Sequence, residues 1–360
     1  LVDMEFPMFL PGSFPWPPAV RGVDVPFILS TAGSIHGWLL NRNGDRFMRH
    51  WDPVNYERTT RDIASVAMMT EILAGRGSPH GGVYVSLKHL PDNLIDYIQE
   101  WKPAETFMQY GGFNMKDYLP DLKKEAIESV PASHFFNGGV KINTSCETNL
   151  PGLFAAGEVT GGVHGANRLS GNAYTEMIVW GHRAGKFSAR YAKKIGDVSI
   201  DKEQLEILRD RILSPLKSKK GTSVYEIRKQ MQKVAWEKAG VIREASGLEK
   251  ALSIFLQMRA EDLPNVHVKN KNRIFNREWA QAIELESMLL TMEMVCRTSI
   301  QREESRGSLY RSDYPNTDNV NFLKNQIVCQ KDGQMFITSQ PAVMTKFEPA
   351  RKIIKYGETE

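Results

Sequence analysis

The stretch His164-Gly165-Ala166-Asn167-Arg168-Leu169-Ser170-Gly171-Asn172-Ala173 concentrates residues suited to binding an anion. A glycine-rich loop running into a helix N-terminus presents backbone N–H groups and a partial positive charge, and both favour an anion or an electron-rich ring edge. Arg168 adds a planar fork that matches a carboxylate. Glycines alone are weak evidence, because tight turns use them everywhere, so the run fits an anion site or a purely structural loop. Two further positions could do acid–base or binding chemistry: Arg61, followed by Asp62 at a helix start, and His134 within Pro131-Ala132-Ser133-His134-Phe135-Phe136-Asn137-Gly138-Gly139. Arginine is an unusual general acid, since its pKa lies far above neutrality, and an Arg–Asp pair at a helix N-terminus is equally a surface feature. A lone histidine among aromatics is equally a core residue.

These side chains need elements to hold them. The prolines Pro7, Pro11, Pro15, Pro17 and Pro18 exclude a helix at the start of the chain. Residues 37–48 read as two short strands around the Asn43-Gly44 turn. From Thr60 to Ala74, Ile63, Val66, Ala67, Met69, Ile72 and Leu73 recur at helical spacing, and Gly75 and Gly77 stop the run. Pro151 to Glu158 reads as a short buried strand closing on a Gly157-Glu158 turn, and a helix is expected from about Ala173 to Ala184. Three amphipathic helices follow, marked by Val224, Ile227, Met231 and Val234, by Leu248, Leu252, Phe255 and Met258, and by Ala282, Leu285, Leu289, Met292 and Cys296. Their stripes predict a helical-bundle core. Gln326 to Cys329 and Met335 to Thr338 read as strands around Asp332-Gly333.

Composition narrows the function classes. The 360 residues carry a net charge of +4 with both signs interspersed, and the longest basic run, Lys217 to Lys220, reads as a solvated loop, which argues against nucleic acid as a partner. Three cysteines, Cys146, Cys296 and Cys329, lie far apart without a CxxC pair, so this stretch alone is not expected to build a metal site or an iron–sulfur cluster. The sparse cysteine usage suggests a reducing, cytoplasmic compartment. No apolar run approaches the ~20 residues that span a bilayer. The start Leu1-Val2-Asp3-Met4 lacks an initiator Met and runs directly into Glu5-Phe6, which predicts that an upstream stretch precedes it.

Leu153 to Lys186, with Gly157-Glu158, His164 to Leu169 and Gly171-Asn172, resembles the flavoprotein subunit of succinate dehydrogenase and fumarate reductase, and L-aspartate oxidase is similar in the same region. Glu304-Ser305-Arg306-Gly307, Tyr310-Arg311 and Asp313-Tyr314-Pro315 resemble the family's motif after its helical domain. Asn41 to Met48 and Arg61-Asp62 resemble its capping domain. The resemblance implies a mixed α+β and α/β fold, with part of a Rossmann-like FAD-binding domain carrying an inserted capping domain, then a helical bundle and a short β-containing tail. It places the end of an FAD-binding segment at residues 1–20, the capping domain at 21–130, the returning FAD-binding segment at 131–195, the helical domain at 200–305 and the tail at 306–360. The family's GxGxxG fingerprint is expected upstream, since none occurs here.

The resemblance also implies roles. Arg61 matches a proton donor to the substrate carbon, while His134 and Arg168 match residues that hold a substrate carboxylate. Gly157, Glu158, Ser170, Asn172, Ala173 and Tyr174 match positions touching or near FAD. The implied activity is hydride transfer between FAD and the carbon–carbon bond of a succinate- or fumarate-like acid, with electrons exchanged with an iron–sulfur subunit in an assembly peripheral to the membrane. Two departures stand out. Phe9-Leu10-Pro11-Gly12 occupies the place of Phe-His-Pro-Thr, so Leu10 replaces a substrate-binding histidine, and a following Thr-Glu pair has no clear counterpart around Leu29 to Ser34. A flavin-carrying electron-transfer subunit with an altered substrate site, or an aspartate oxidase-like enzyme, is the alternative.

Overall fold

A computed structural model describes residues 1–23, 37–100, 109–110, 113–114, 119–346 and 349–357. The chain divides into two compact units, one formed by Met8–Phe135 with Gly357–Thr359, the other by Leu1–Pro7, Phe136–Tyr356 and Glu360.

The Met8–Phe135 unit is built on a four-stranded sheet. Its strands are β1 (Pro7–Ser13), β2 (Trp38–Leu40), β3 (Val83–Ser86) and β4 (Ile127–Phe136), in the order β1-β4-β3-β2. Every residue of β1 is buried, as an apolar run interrupted only by proline and glycine requires. Helix α1 (Arg61–Glu71) buries Ile63, Val66, Ala67 and Met69 of the expected stripe, together with Ala64 and Met68, while Leu73 beyond its end is exposed. The Ser65 hydroxyl donates to the Phe9 carbonyl at 3.5 Å and the Ser129 hydroxyl to Pro11 at 3.4 Å, so α1 and β4 both reach β1.

The hairpin expected around Asn43-Gly44 is only half formed. The turn exists, with Asn41 Oδ1 accepting from the N–H groups of Asn43 and Asp45, both at 3.0 Å. The second arm is instead a helical turn, Met48–Trp51, and β2 pairs antiparallel with β3. Glu57 accounts for this: its Oε1 accepts from the Leu39 N–H at 3.1 Å, and its carboxylate also receives Arg46 Nε at 2.9 Å. The open edge of β2 is thus bonded by a side chain. Arg46 also lies 4.9 Å over the Trp38 ring, whose other contact is a stack on His89.

In the second unit, Val140–Lys141 pairs in parallel with Thr160–Gly161, and helix α2 (Asn172–Ile195) follows, longer than the expected 173–184. Pro151 to Glu158 differs from expectation. It pairs through a single bridge between Glu147 and Phe154, and Leu153 is exposed, because four apolar residues in sequence specify no neighbour to bury them. Helices α3 (Lys202–Lys217), α4 (Val224–Ala239), α5 (Ala245–Gln257) and α6 (Arg277–Gln301) come next. The predicted stripes meet in two clusters: Met231, Val234, Leu248, Phe255, Met258, Leu289 and Cys296 in one, Val224, Ile227, Ala282 and Leu285 in the other. Burial pushes the Cys296 thiol up to about 12, so it is a neutral packing residue. Strands β5 (Lys324–Lys331) and β6 (Gln334–Pro341) form a hairpin closed by Asp332-Gly333, both with positive φ (51° and 76°).

A buried polar network joins these pieces. The Arg302 side chain is 1% exposed and donates to Glu5 Oε1 at 2.7 Å, Glu304 Oε1 at 2.8 Å, and the carbonyls of Phe322 and Lys324 at 3.0 and 2.7 Å. Arg306 donates to both oxygens of Glu304, and Gln326 Nε2 donates to Glu5 Oε1 at 2.7 Å. Asp3 accepts from Asn325 Nδ2 at 2.6 Å and from the Gln326 N–H. Burial, with the nearby Glu5 charge adding to it, raises the Asp3 carboxyl to about 6.

Two stability measurements test this network. Arg302→Ala leaves Glu5 and Glu304 buried with a lost partner and should cost about 3–5 kcal/mol in denaturant unfolding. Asp3 titrates higher in the folded chain than its ordinary 3.8, so its contribution is complete below about pH 4 and is lost as pH rises through about 6. Asp3→Asn should therefore flatten the fall in stability across that window, while losing one of the two hydrogen bonds that the carboxylate accepts. An unchanged slope between pH 4 and 6 would contradict the assignment.

Candidate functional site

The Gly157-Glu158 turn is tied on both sides. The Phe136 N–H donates to Glu158 Oε1 at 3.0 Å, and the Gly157 N–H donates to Glu176 Oε1 at 3.0 Å. Glu176 lies one turn into α2 and is buried, and burial raises its carboxyl above the ordinary range. The turn is thereby fastened to the helix that follows it.

The N-terminus of α2 has no side-chain cap, and its Asn172 and Tyr174 N–H groups donate to the Leu169 and Gly171 carbonyls. Gly171, its N-cap, has a left-handed backbone (φ +84°), and no acidic residue occupies the first turn. Glu158, Ser170, Asn172 and Tyr174 are exposed, while Gly157 and Ala173 are half-buried. Apolar side chains accompany these polar groups: Val159 and Leu169 are also exposed. Helix N–H groups and dipole beside exposed apolar side chains suit a flat, anionic cofactor such as a flavin.

Arg168 is buried at the end of the loop, with Nη1 3.4 Å from the Leu169 carbonyl. Burial, and then the Arg168 charge, lower the pKa of His164 and hold its imidazole neutral at pH 7. Arg168 is therefore the cation of this loop. The structure brings Arg168, Gly157, Glu158, Ser170, Asn172, Ala173 and Tyr174 into one unit.

Arg61 and His134 belong to the other unit. Arg61 is the first residue of α1 and half-buried, where the helix dipole works against a cation. His134 is exposed near the end of β4, next to buried Phe135. Leu10, in β1, is buried in the core. Leu29 to Ser34, where a Thr-Glu counterpart would fall, lie outside the described residues.

Three buried polar side chains beside these segments escape a reading of the sequence. Glu176 is an acid in a helix that follows an uncapped glycine, which is a weak signal. Asn137 lies three residues after His134, and Ser308 directly follows the Glu304–Gly307 motif, but their shared acceptor, the Ala166 carbonyl, is far from both in sequence. Among the described residues no group of three or more His, Cys, Asp or Glu could hold a metal ion, and no helix is long and apolar enough to cross a membrane.

Comparison with known proteins bears on these placements. Residues 1–174 match the FAD binding domain family, and residues 228–354 match the fumarate reductase flavoprotein C-terminal family. One component of the fumarate reductase (CoM/CoB) of Methanothermobacter marburgensis is 38% identical over 88% of this chain and 55% of its own length. The fumarate reductase flavoprotein subunit of Mycobacterium tuberculosis is 32% identical over 99% of this chain and 62% of its own length. Among solved structures, the FrdA chain of E. coli quinol fumarate reductase superposes with a TM-score of 0.83 at 27% identity, covering 97% of this chain and 60% of that one. The chain thus spans between half and two-thirds of these relatives. The mixed helix-and-strand fold is that of these flavoproteins, and the cofactor named by the family is FAD. The chain belongs to the family of fumarate reductase and succinate dehydrogenase flavoprotein subunits.

Proposed function

We propose that the chain is part of a flavin-dependent oxidoreductase acting on the carbon–carbon bond of a succinate- or fumarate-like carboxylic acid. The observation that carries this reading is the buried Arg168 beside the uncapped N-terminus of α2, inside a segment matching an FAD binding domain. When bound, FAD supplies the hydride acceptor or donor. Gly157, Glu158, Ser170, Asn172, Ala173 and Tyr174 would hold or flank it. Arg168 and His134 orient a substrate carboxylate, Arg168 as a fork and His134 as a hydrogen-bonding group. Arg61 moves the proton at the reacting carbon, and residues 21–130 correspond to the family's capping domain.

Electrons are exchanged with an iron–sulfur subunit in an assembly at the membrane periphery. The names of several relatives, among them the 8-methylmenaquinol:fumarate reductase flavoprotein subunit of Wolinella succinogenes, describe subunits and so support a partner. Leu10 favours a second reading. An apolar side chain in the place of a histidine cannot donate a hydrogen bond, which fits a different acid, an aspartate oxidase-like substrate, or a subunit that only carries electrons.

The test uses the native full-length flavoprotein, reduced anaerobically and mixed with fumarate while flavin absorbance is followed. Rapid reoxidation is expected, and Arg61→Ala should slow it by roughly 10²–10⁴-fold, the usual contribution of a positioned general acid. Absence of reoxidation with flavin present would move the assignment to another acid or to electron transfer. Turnover unchanged in Arg61→Ala for every unsaturated acid tested would remove Arg61 from the chemistry.

A further inference from the structure

The loop that carries Arg168 is held from outside itself at the carbonyl oxygen of Ala166. Ser308 donates to that oxygen twice, from its N–H at 2.9 Å and from its hydroxyl at 3.0 Å. Asn137 Nδ2 lies 3.4 Å from the same oxygen, 3.2 Å from the Ser308 hydroxyl and 3.2 Å from the Phe6 carbonyl. The amide has two hydrogens for three acceptors, so one hydrogen is shared. Both residues are buried. A carbonyl has two lone pairs, and three donors on it exceed what satisfying a buried acceptor requires.

The donors are themselves fixed. Gly307 has φ +52°, and a Cβ there would stand 2.4 Å from the Ala166 oxygen, so only glycine lets the 305–309 turn approach this closely. The turn is closed by Arg306 N–H to Leu309 O at 2.8 Å and Leu309 N–H to Arg306 O at 3.0 Å. The Tyr356 hydroxyl donates to the Gly307 carbonyl at 2.7 Å, and Arg306 is paired with buried Glu304. On the other side, the Asn137 N–H donates to Phe6 O at 3.1 Å. The Ala166 carbonyl is thus gripped from two chain segments that are each anchored in the core.

We propose that Asn137 and Ser308 are positioning residues for carboxylate binding: by fixing the Ala166 carbonyl, two residues before Arg168, they set where the guanidinium can meet a substrate carboxylate. The proposal rests on the reading of Arg168 as a carboxylate clamp. Neither residue touches the carboxylate. A guanidinium binds a carboxylate bidentately only in a narrow range of positions, so slack at Ala166 weakens substrate binding before it alters the flavin.

The test compares Ser308→Ala, Ser308→Thr, Asn137→Ala and the double variant Asn137→Ala/Ser308→Ala in the native full-length flavoprotein. Four quantities are read: KM and kcat for fumarate, the dissociation constant of succinate from its perturbation of the flavin spectrum, and FAD content. Ser308→Ala and Asn137→Ala should each raise KM and the succinate dissociation constant about five- to tenfold, the worth of a neutral hydrogen bond, with FAD content and kcat within about twofold of the parent. Ser308→Thr keeps the hydroxyl and should stay near the parent. The double variant should lose less than the product of the singles, because both act on one carbonyl. KM within twofold for both single variants overturns the proposal. So does a KM increase that tracks loss of FAD and is not rescued by threonine, which marks a purely structural role. Arg168→Lys separates the two readings: if it raises KM while Ser308→Ala and Asn137→Ala are silent, only the positioning role fails; if it too is silent, the clamp reading of Arg168 fails. Should Ser308→Ala not fold, Asn137→Ala decides alone.

Discussion

Arg302 is the interaction on which the Phe136–Tyr356 unit depends. A guanidinium with almost no exposed surface is tolerable only if its charge and its N–H groups are matched, and here two carboxylates and two carbonyls do so. The partners come from separate stretches of chain: Glu5 before β1, Glu304 after α6, and the Phe322–Lys324 segment entering β5. One side chain therefore sets the mutual position of the N-terminal segment, the end of the helical bundle and the terminal hairpin. Replacing it with apolar groups would fill the volume, but would not specify which strands meet there.

The consequence reaches the site through Glu304. Its carboxylate receives Arg302 and Arg306 together, which fixes the start of the turn that carries Gly307 and Ser308. That turn meets the Ala166 carbonyl, and Ala166 is two residues from Arg168. A rigid ionic core thus supports a polar loop that has little apolar packing of its own. Glu176 does the same for the Gly157-Glu158 turn, with a single hydrogen bond from a buried carboxyl. Both devices follow one logic: glycine-rich backbone that must present its N–H groups cannot also bury side chains, so neighbouring buried polar groups hold it.

Two arginines of the Met8–Phe135 unit are placed differently. In the Met8–Phe135 unit Arg46 is fixed by a bidentate pair with Glu57 and by the faces of Trp38 and Tyr56, and it closes the edge of a strand. Arg61 instead stands at a helix N-terminus, where the dipole opposes its charge. Buried Asp62 follows it in the same first turn, and the role of Arg61 as proton donor belongs to the proposed mechanism.

The sequence by itself determined the helical bundle and the identity of the chemistry-bearing loop. Helical stripes such as Leu248, Phe255 and Leu289 are periodic because the core is apolar and contiguous, so periodicity alone announces them. The run from His164 to Ala173 stands out for a similar reason, since glycines and an arginine before a helix are local features that fit an anion site or a structural loop. The family resemblance then supplied roles for Arg61, His134 and Arg168 that spacing alone did not. Tertiary structure decided the rest. Asn43-Gly44 signals a hairpin, yet Glu57 claims the edge of β2 from outside the turn. Leu153 to Ala156 look like a buried strand, but burial depends on neighbours that a short apolar run does not specify. The Ala166 clamp was invisible because Asn137, Ala166 and Ser308 converge from distant segments, and hydrogen bonds between them leave no period in the sequence. Local order is encoded where contacts are near in the chain, while long-range polar contacts appear only when folding brings their partners within reach.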